Sequence, residues 1–321
     1  MLTSAQLARA QQIVYSHMQA TPALQWPQLC EHSGLDLWLK HENHTPIGAF
    51  KVRGGLVFAQ GLADEKFSGK LVTATRGNHG QSIPFGARLH GMDVRVYVPC
   101  GNSTEKNAAM RHWGAELVEQ GEDFDIARQA AEAWAAAHNA RIVPSFHHDL
   151  VADVATYGAE LFEQVANVDV VYVPIGMGSG ACSLVQVRDL LGLSTEIVGV
   201  VSTQADAVQR SFAAGRIVTT DSARTFADGM ATRMPNEEAF DIMYRGLARV
   251  VAVTDDEVAQ AIRLLFSMTH NVAEGAGAAA TAAVLKDRDQ LRNKKVAVIL
   301  SGGNIDAGWF ASVLAGTTPQ V

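Results

Sequence analysis

Short apolar runs alternate with longer helical patterns along almost the whole chain. Residues 37–40, 70–75, 94–99, 141–143, 169–174, 197–201 and 296–300 read as strands, rich in Val, Leu and Ile and bounded by Gly, Pro or polar residues. Helices are expected after Lys51, over 78–90, over 105–111 with Thr104 as cap, and over the alanine-rich 122–138. Further helices are expected over 151–165, from Ala181, and over 255–270 and 273–286. Such alternation predicts an α/β protein of twisted, mainly parallel sheets flanked by helices on both faces. In sheets of this kind ligands bind beyond the carboxyl ends of the strands.

Three polar, glycine-bearing segments stand at such strand ends. Thr75-Arg76-Gly77-Asn78-His79-Gly80 runs from a strand into a helix, where unpaired N–H groups and a partial positive charge suit a carboxylate. Thr75 and Asn78 add side-chain donors. Gly176-Met177-Gly178-Ser179-Gly180 has the alternating glycines that let successive N–H groups point inward as an anion nest, a cradle for phosphate. Ser301-Gly302-Gly303-Asn304 ends the last strand in a hydroxyl and two glycines. Each segment alone is equally a decorated turn or helix cap.

A fourth segment changes their meaning. Lys51 lies in Gly48-Ala49-Phe50-Lys51-Val52-Arg53-Gly54-Gly55, where small residues let backbone pass close to the amine. Lysine forms imines with aldehydes once desolvation or nearby charge removes its proton. A reactive lysine, a carboxylate turn, a phosphate nest and a strand-end hydroxyl together describe a pyridoxal 5'-phosphate site.

Composition sets the compartment. The chain has 321 residues, 48% hydrophobic, with 28 Gly and 9 Pro, enough for a substantial core in one large or two ordinary domains. A formal charge of -7 without basic clusters argues against a nucleic-acid surface. Cys30, Cys100 and Cys182 are too few and too scattered for a disulfide framework or a zinc site, which points to a reducing cytoplasm. The first residues lack a basic region followed by an apolar run, so no signal peptide is expected, and no apolar stretch approaches a membrane span.

In order and spacing these motifs resemble the fold type II pyridoxal-phosphate enzymes, specifically the threonine/serine dehydratase and serine racemase family, from about Thr21 to Asp306. The resemblance implies a tryptophan synthase β-like fold and a homodimer. It also implies a large cofactor-binding domain of residues 1–69 and 147–321, with a small domain of 70–146. No C-terminal regulatory domain is expected after Asn304. The implied reaction is β-elimination from a 3-hydroxy L-amino acid of the threonine/serine type, giving a 2-oxo acid and ammonia.

The same resemblance assigns roles. Lys51 carries the cofactor and, once freed, takes the Cα proton. Phe50 packs behind the ring, and Asn78 contacts the 3-oxygen. Gly176, Met177, Gly178, Ser179 and Gly180 hold the phosphate. Ser301 faces the pyridine nitrogen, and Glu274 lies near the cofactor. Thr75, Arg76, Gly77, Asn78 and His79 bind the substrate. A neutral hydroxyl at the ring nitrogen gives a weaker electron sink than a carboxylate, which favours prompt loss of a β leaving group.

Two departures from the family pattern sharpen the expectation. Arg76 stands where serine racemases carry an acid–base serine, and a guanidinium that stays protonated does not shuttle that proton, so racemisation is expected to be weak. Val201 and Ala207 occupy the positions of two metal carboxylates in metal-dependent relatives, so no metal is expected. His147-His148-Asp149 is no convincing substitute. The alternatives to threonine or serine are a bulkier substrate such as 3-phenylserine, or 3-hydroxyaspartate opposite Arg76. A nicotinamide-dependent dehydrogenase fits poorly: residues 176–181 match Gly-x-Gly-x-x-Ala, but Glu196 precedes its strand and the strand ends in Val201-Ser202.

Overall fold

The computed structural model describes residues 1–321, the side chains of 148–152 excepted. Ten strands form two sheets. β1 (Ala23–Gln25), β2 (Asp36–His41), β7 (Val170–Pro174), β8 (Glu196–Ser202), β9 (Arg249–Val253) and β10 (Lys295–Leu300) make a six-stranded sheet in the order β1-β2-β10-β7-β8-β9. β3 (Leu71–Ala74), β4 (Val94–Val98), β5 (Ala115–Glu119) and β6 (Arg141–Ile142) make a four-stranded sheet in the order β5-β4-β3-β6. All pairings are parallel except the edge hairpin of β1 with β2. The α/β class and the mainly parallel sheets are as expected.

Burial explains which strands were legible. β7 is buried along its whole length, and Val296 to Leu300 of β10 lie in the core beside it, so both read as continuous apolar runs. β5 and β9 lie at sheet edges, carry Glu116, Glu119 and Arg249, and are largely half-exposed. Helix Gly275–Asp287 passes across the large sheet, its run of alanines allowing close approach, and nearly every residue is buried.

Several helix starts shift. Ser103, not Thr104, caps the helix Thr104–His112: its Oγ accepts from the Lys106 N–H at 3.0 Å, while Thr104 already belongs to the first turn. The helix expected from Ala181 begins at Ser179, and that expected from Ala273 begins at Gly275.

Beneath the start of helix Lys51–Asp64 lies a fully buried ionic cluster. Arg53 donates from Nε and Nη2 to both carboxylate oxygens of Glu42, at 2.8 and 2.9 Å, and from Nη1 to Glu160 at 2.6 Å. Lys40 pairs with Glu160 and donates to the Thr21 carbonyl at 2.6 Å. Two cations and two carboxylates neutralise one another with their hydrogen-bonding groups engaged, the condition under which buried charge is tolerated.

Candidate active site

Lys51 is the first residue of its helix, and the chain before it is tied to the end of β10. The Phe50 N–H donates to the Ser301 carbonyl at 3.0 Å, Ala49 bridges to Gly302, and the Gly303 N–H donates to the Gly48 carbonyl at 2.9 Å. Gly48 turns with φ +70°, and a Cβ there would lie 2.7 Å from Asn304 Oδ1. The turn therefore needs glycine.

The Lys51 amine donates to Ser179 Oγ at 2.8 Å and makes a long contact of 3.5 Å to the Ser145 carbonyl. It has no ion-pair partner among the described residues, and burial lowers it to about 8. A substantial neutral fraction near physiological pH is what a nucleophilic or basic lysine requires. His79, beside it, is held neutral by burial and by the amine's charge, at about 3.

The first anion-receiving turn follows β3. The Thr75 hydroxyl accepts from the Gly77 N–H at 3.0 Å, which shapes the turn and leaves its own proton available. Helix Asn78–Arg88 then opens with its first N–H groups toward the site. Asn78 Nδ2 donates to Glu274 Oε1 at 2.6 Å, and Asn78 Oδ1 accepts from Asn304 Nδ2 at 2.8 Å.

The second turn follows β7. Gly178 has φ +100° and precedes helix Ser179–Leu190, so the N–H groups of Ser179 and Gly180 are unpaired first-turn donors. Gly176 passes so close to the loop 228–230 that a Cβ would stand 2.1 Å from the Gly229 carbonyl oxygen. The third strand end contributes Ser301, 5% exposed.

These segments enclose a cavity of about 150 Å³, opening into a cleft of about 1490 Å³ between the two sheets. Phe50, Lys51, Thr75, Arg76, Gly77 and Asn78 line the cavity, as do His79, Glu274, Ser301 and the whole 176–180 loop. Every candidate residue from the sequence is thus brought to one place. Arg76 is exposed, faces both spaces and has no partner among the described residues. Val201 and Ala207 are buried apolar side chains, while the side chains of His148 and Asp149 lie outside the described residues.

Sequence reasoning missed Lys106 and Asp228. Lys106 leaves its helix to pair with Asp228 and stands 3.7 Å from Glu274 Oε2. In the sequence it is one polar residue in a charged helix, and Asp228 one loop residue; only the ion pair between them and the burial of Lys106 mark them. The two carboxylates hold Lys106 strongly protonated. Glu274 is raised to about 7 by its own burial, against the pull of Lys106.

The residues fit a phosphorylated pyridine aldehyde. A buried, carboxylate-free amine can receive the aldehyde, the glycine-lined helix start suits the phosphate, and Glu274 Oε2 is a buried oxygen without a hydrogen-bond donor, open to a polar group in the cavity.

The profile of the family described as pyridoxal-phosphate dependent enzyme matches residues 14–302. The chain belongs to this family. Lys51, the Gly176 loop and Ser301 all fall within the matched residues, and pyridoxal phosphate is the cofactor. An L-threonine ammonia-lyase of Thermotoga maritima is 31% identical over 98% of this chain and 78% of its own length. An L-threo-3-hydroxyaspartate ammonia-lyase of Saccharomyces cerevisiae is 29% identical over 94% of this chain and 93% of its own length. Among solved structures, a T.th. threonine deaminase superposes with a TM-score of 0.89 at 30% identity, covering 95% of this chain and 99% of that one.

Proposed function

We propose that the protein is an ammonia-lyase that eliminates water from a 3-hydroxy L-amino acid of the threonine/serine type, giving a 2-oxo acid and ammonia. One observation carries the reading: the Lys51 amine, without a carboxylate partner among the described residues, lines one cavity with two helix N-termini, which we assign to a phosphate and to a substrate carboxylate. The names of the two ammonia-lyases aligned along more than nine-tenths of the chain support it.

Pyridoxal phosphate, when bound, supplies an electron sink for the bond broken at Cα. The remaining roles belong to the protein. Ser179, Gly180 and the glycines before them hold the phosphate. The turn of residues 77–79, shaped by Thr75, takes the α-carboxylate. Lys51 Nζ accepts the Cα proton, and neutral His79 adds no competing charge beside it. Ser301 would offer the ring nitrogen a hydroxyl, Asn78 would contact the 3-oxygen, and Phe50, 5.2 Å from the Lys51 amine, would pack behind the ring. Residues 1–69 with 147–321 act as the large domain and 70–146 as the small one. We take the protein to be a cytoplasmic homodimer; no described helix is long and apolar enough to cross a membrane.

The second reading, 3-hydroxyaspartate as substrate, is favoured by Arg76, an unpartnered guanidinium on the cavity wall able to pair a second carboxylate. Steady-state 2-oxo acid formation from threonine, serine, 3-phenylserine and 3-hydroxyaspartate, with Lys51→Ala as control, tests both. A tenfold preference for threonine or serine supports the first reading and a tenfold preference for 3-hydroxyaspartate the second. Absence of product from all four overturns both.

A further inference from the structure

We propose that the Ser179 hydroxyl is a positioning group, the partner that holds the Lys51 amine whenever that amine is not bonded to the cofactor. The inference rests on Lys51 being the cofactor lysine and adds a role that an anion nest does not need. A nest uses backbone N–H groups, and a glycine at position 179 would supply one equally well.

The side chain is placed for something else. Gly178 already occupies the cap position of helix Ser179–Leu190, so the Ser179 hydroxyl is not required as a cap. Ser179 is 3% exposed, and among the described residues its Oγ has one hydrogen-bond partner, Lys51 Nζ at 2.8 Å. The other groups facing the amine are the Ser145 carbonyl at 3.5 Å, the Phe50 ring at 5.2 Å, and neutral His79. Of the charged groups lining the same cavity, Glu274 is bonded to Asn78 and Asp228 to Lys106, and Arg76 is exposed with no contact to the amine among the described residues.

A base that cycles between amine and ammonium needs a partner that suits both states. A hydroxyl accepts from the ammonium and donates to the lone pair of the neutral amine. A carboxylate in its place would lock the ammonium, and a methyl would leave the amine only the long contact to the Ser145 carbonyl. Position 179 also opens the phosphate-seat helix, so the same residue offers its N–H to the phosphate and its hydroxyl to the lysine.

The test uses the full-length protein freed of cofactor, with Lys51 titrated by pH-dependent reductive methylation read by mass spectrometry. Wild type is expected to titrate near 8. Loss of a hydrogen bond to the ammonium lowers that value, so Ser179→Ala and Ser179→Gly are expected about one unit lower. Ser179→Thr, which keeps the hydroxyl, is expected to stay at the wild-type value. Circular dichroism establishes folding, and inorganic phosphate binding is expected to survive in both hydroxyl-free variants. Wild-type titration of a folded Ala or Gly variant overturns the proposal. An equal shift in the Thr variant overturns it as well, because packing would then be the cause. The result is independent of substrate; the cofactor-lysine assignment itself fails separately if borohydride does not fix pyridoxal phosphate to Lys51.

Discussion

Asn304 Nδ2 stands 2.8 Å from Asn78 Oδ1 and 2.8 Å from the carbonyl oxygen of Ile47. One side-chain amide thus joins the helix that opens the carboxylate turn to the loop that delivers Lys51. It also fixes the orientation of the Asn78 amide, because an oxygen that accepts from Asn304 leaves the nitrogen to donate toward Glu274 and the cavity. Asn304→Ala removes both donated bonds and is expected to cost about 1–3 kcal/mol of stability. Pyridoxal phosphate affinity should fall with it, by about tenfold for each 1.4 kcal/mol of binding energy lost. Urea unfolding and fluorescence titration with the cofactor check the two effects.

The glycines of the phosphate seat are expected to differ in tolerance. A Cβ on Gly176 would lie 2.1 Å from the Gly229 carbonyl oxygen, whereas one on Gly180 would meet Tyr157 Oη at 3.4 Å and Phe50 at 3.6 Å, ordinary contact distances. Gly176→Ala must displace backbone on one side of the cavity, and a cost of about 1–3 kcal/mol follows from overpacking of this kind. Gly180→Ala is expected to bind the cofactor within a few-fold of wild type. Dissociation constants for pyridoxal phosphate of the two variants, compared directly, test the contrast.

The buried cluster under Lys51 predicts a large penalty for breaking one partner. Glu160→Gln leaves Arg53 and Lys40 with one carboxylate between them, and a loss of about 3–5 kcal/mol is expected. The exposed pair Arg9 with Asp64 provides the control, since Asp64→Asn at the surface is expected to leave the unfolding midpoint nearly unchanged. Chemical denaturation of the two variants gives the comparison.

Glu274 gives the pH dependence a sign. Its carboxyl rises from 4.5 to about 7 in the folded protein, so folding favours the protonated form. That preference is fully present below pH 4.5 and is lost as pH rises through about 7, with a size on the order of 3 kcal/mol. Cofactor-free protein should therefore lose stability across this window, and Glu274→Gln, which stays neutral, should remove that part of the slope. Melting temperatures of both proteins between pH 4.5 and 8 decide the matter.

Much of the fold was legible because β7, β8 and β10 lie inside the large sheet, where burial on both faces writes itself as Val- and Ile-rich runs, and the interior β2 keeps Leu37 and Leu39 in the core. β1, β5 and β9 went unseen for the opposite reason: three residues in one case, edge positions with charged residues in the others. The candidate site was legible wherever backbone geometry dictates residue type, as at Gly48 and Gly178. Lys106 and Asp228 were not, since an ion pair formed 122 positions apart leaves no local signature in either segment. The Ser179 contact was hidden for the same reason: the residue was visible as part of a glycine loop, its partner 128 positions away was not.

The backbone link between Phe50 and Ser301 has a consequence for how such a protein diversifies. Because the lysine loop is joined to the final strand by main-chain bonds, the backbone positions of Lys51 and Ser301 are set relative to each other by peptide geometry rather than by side-chain contacts. Arg76, Phe124 and Thr232, which line both the cavity and the cleft, stand outside that link. Replacements at those three positions are therefore expected to change which amino acid is accepted while leaving the lysine loop in place.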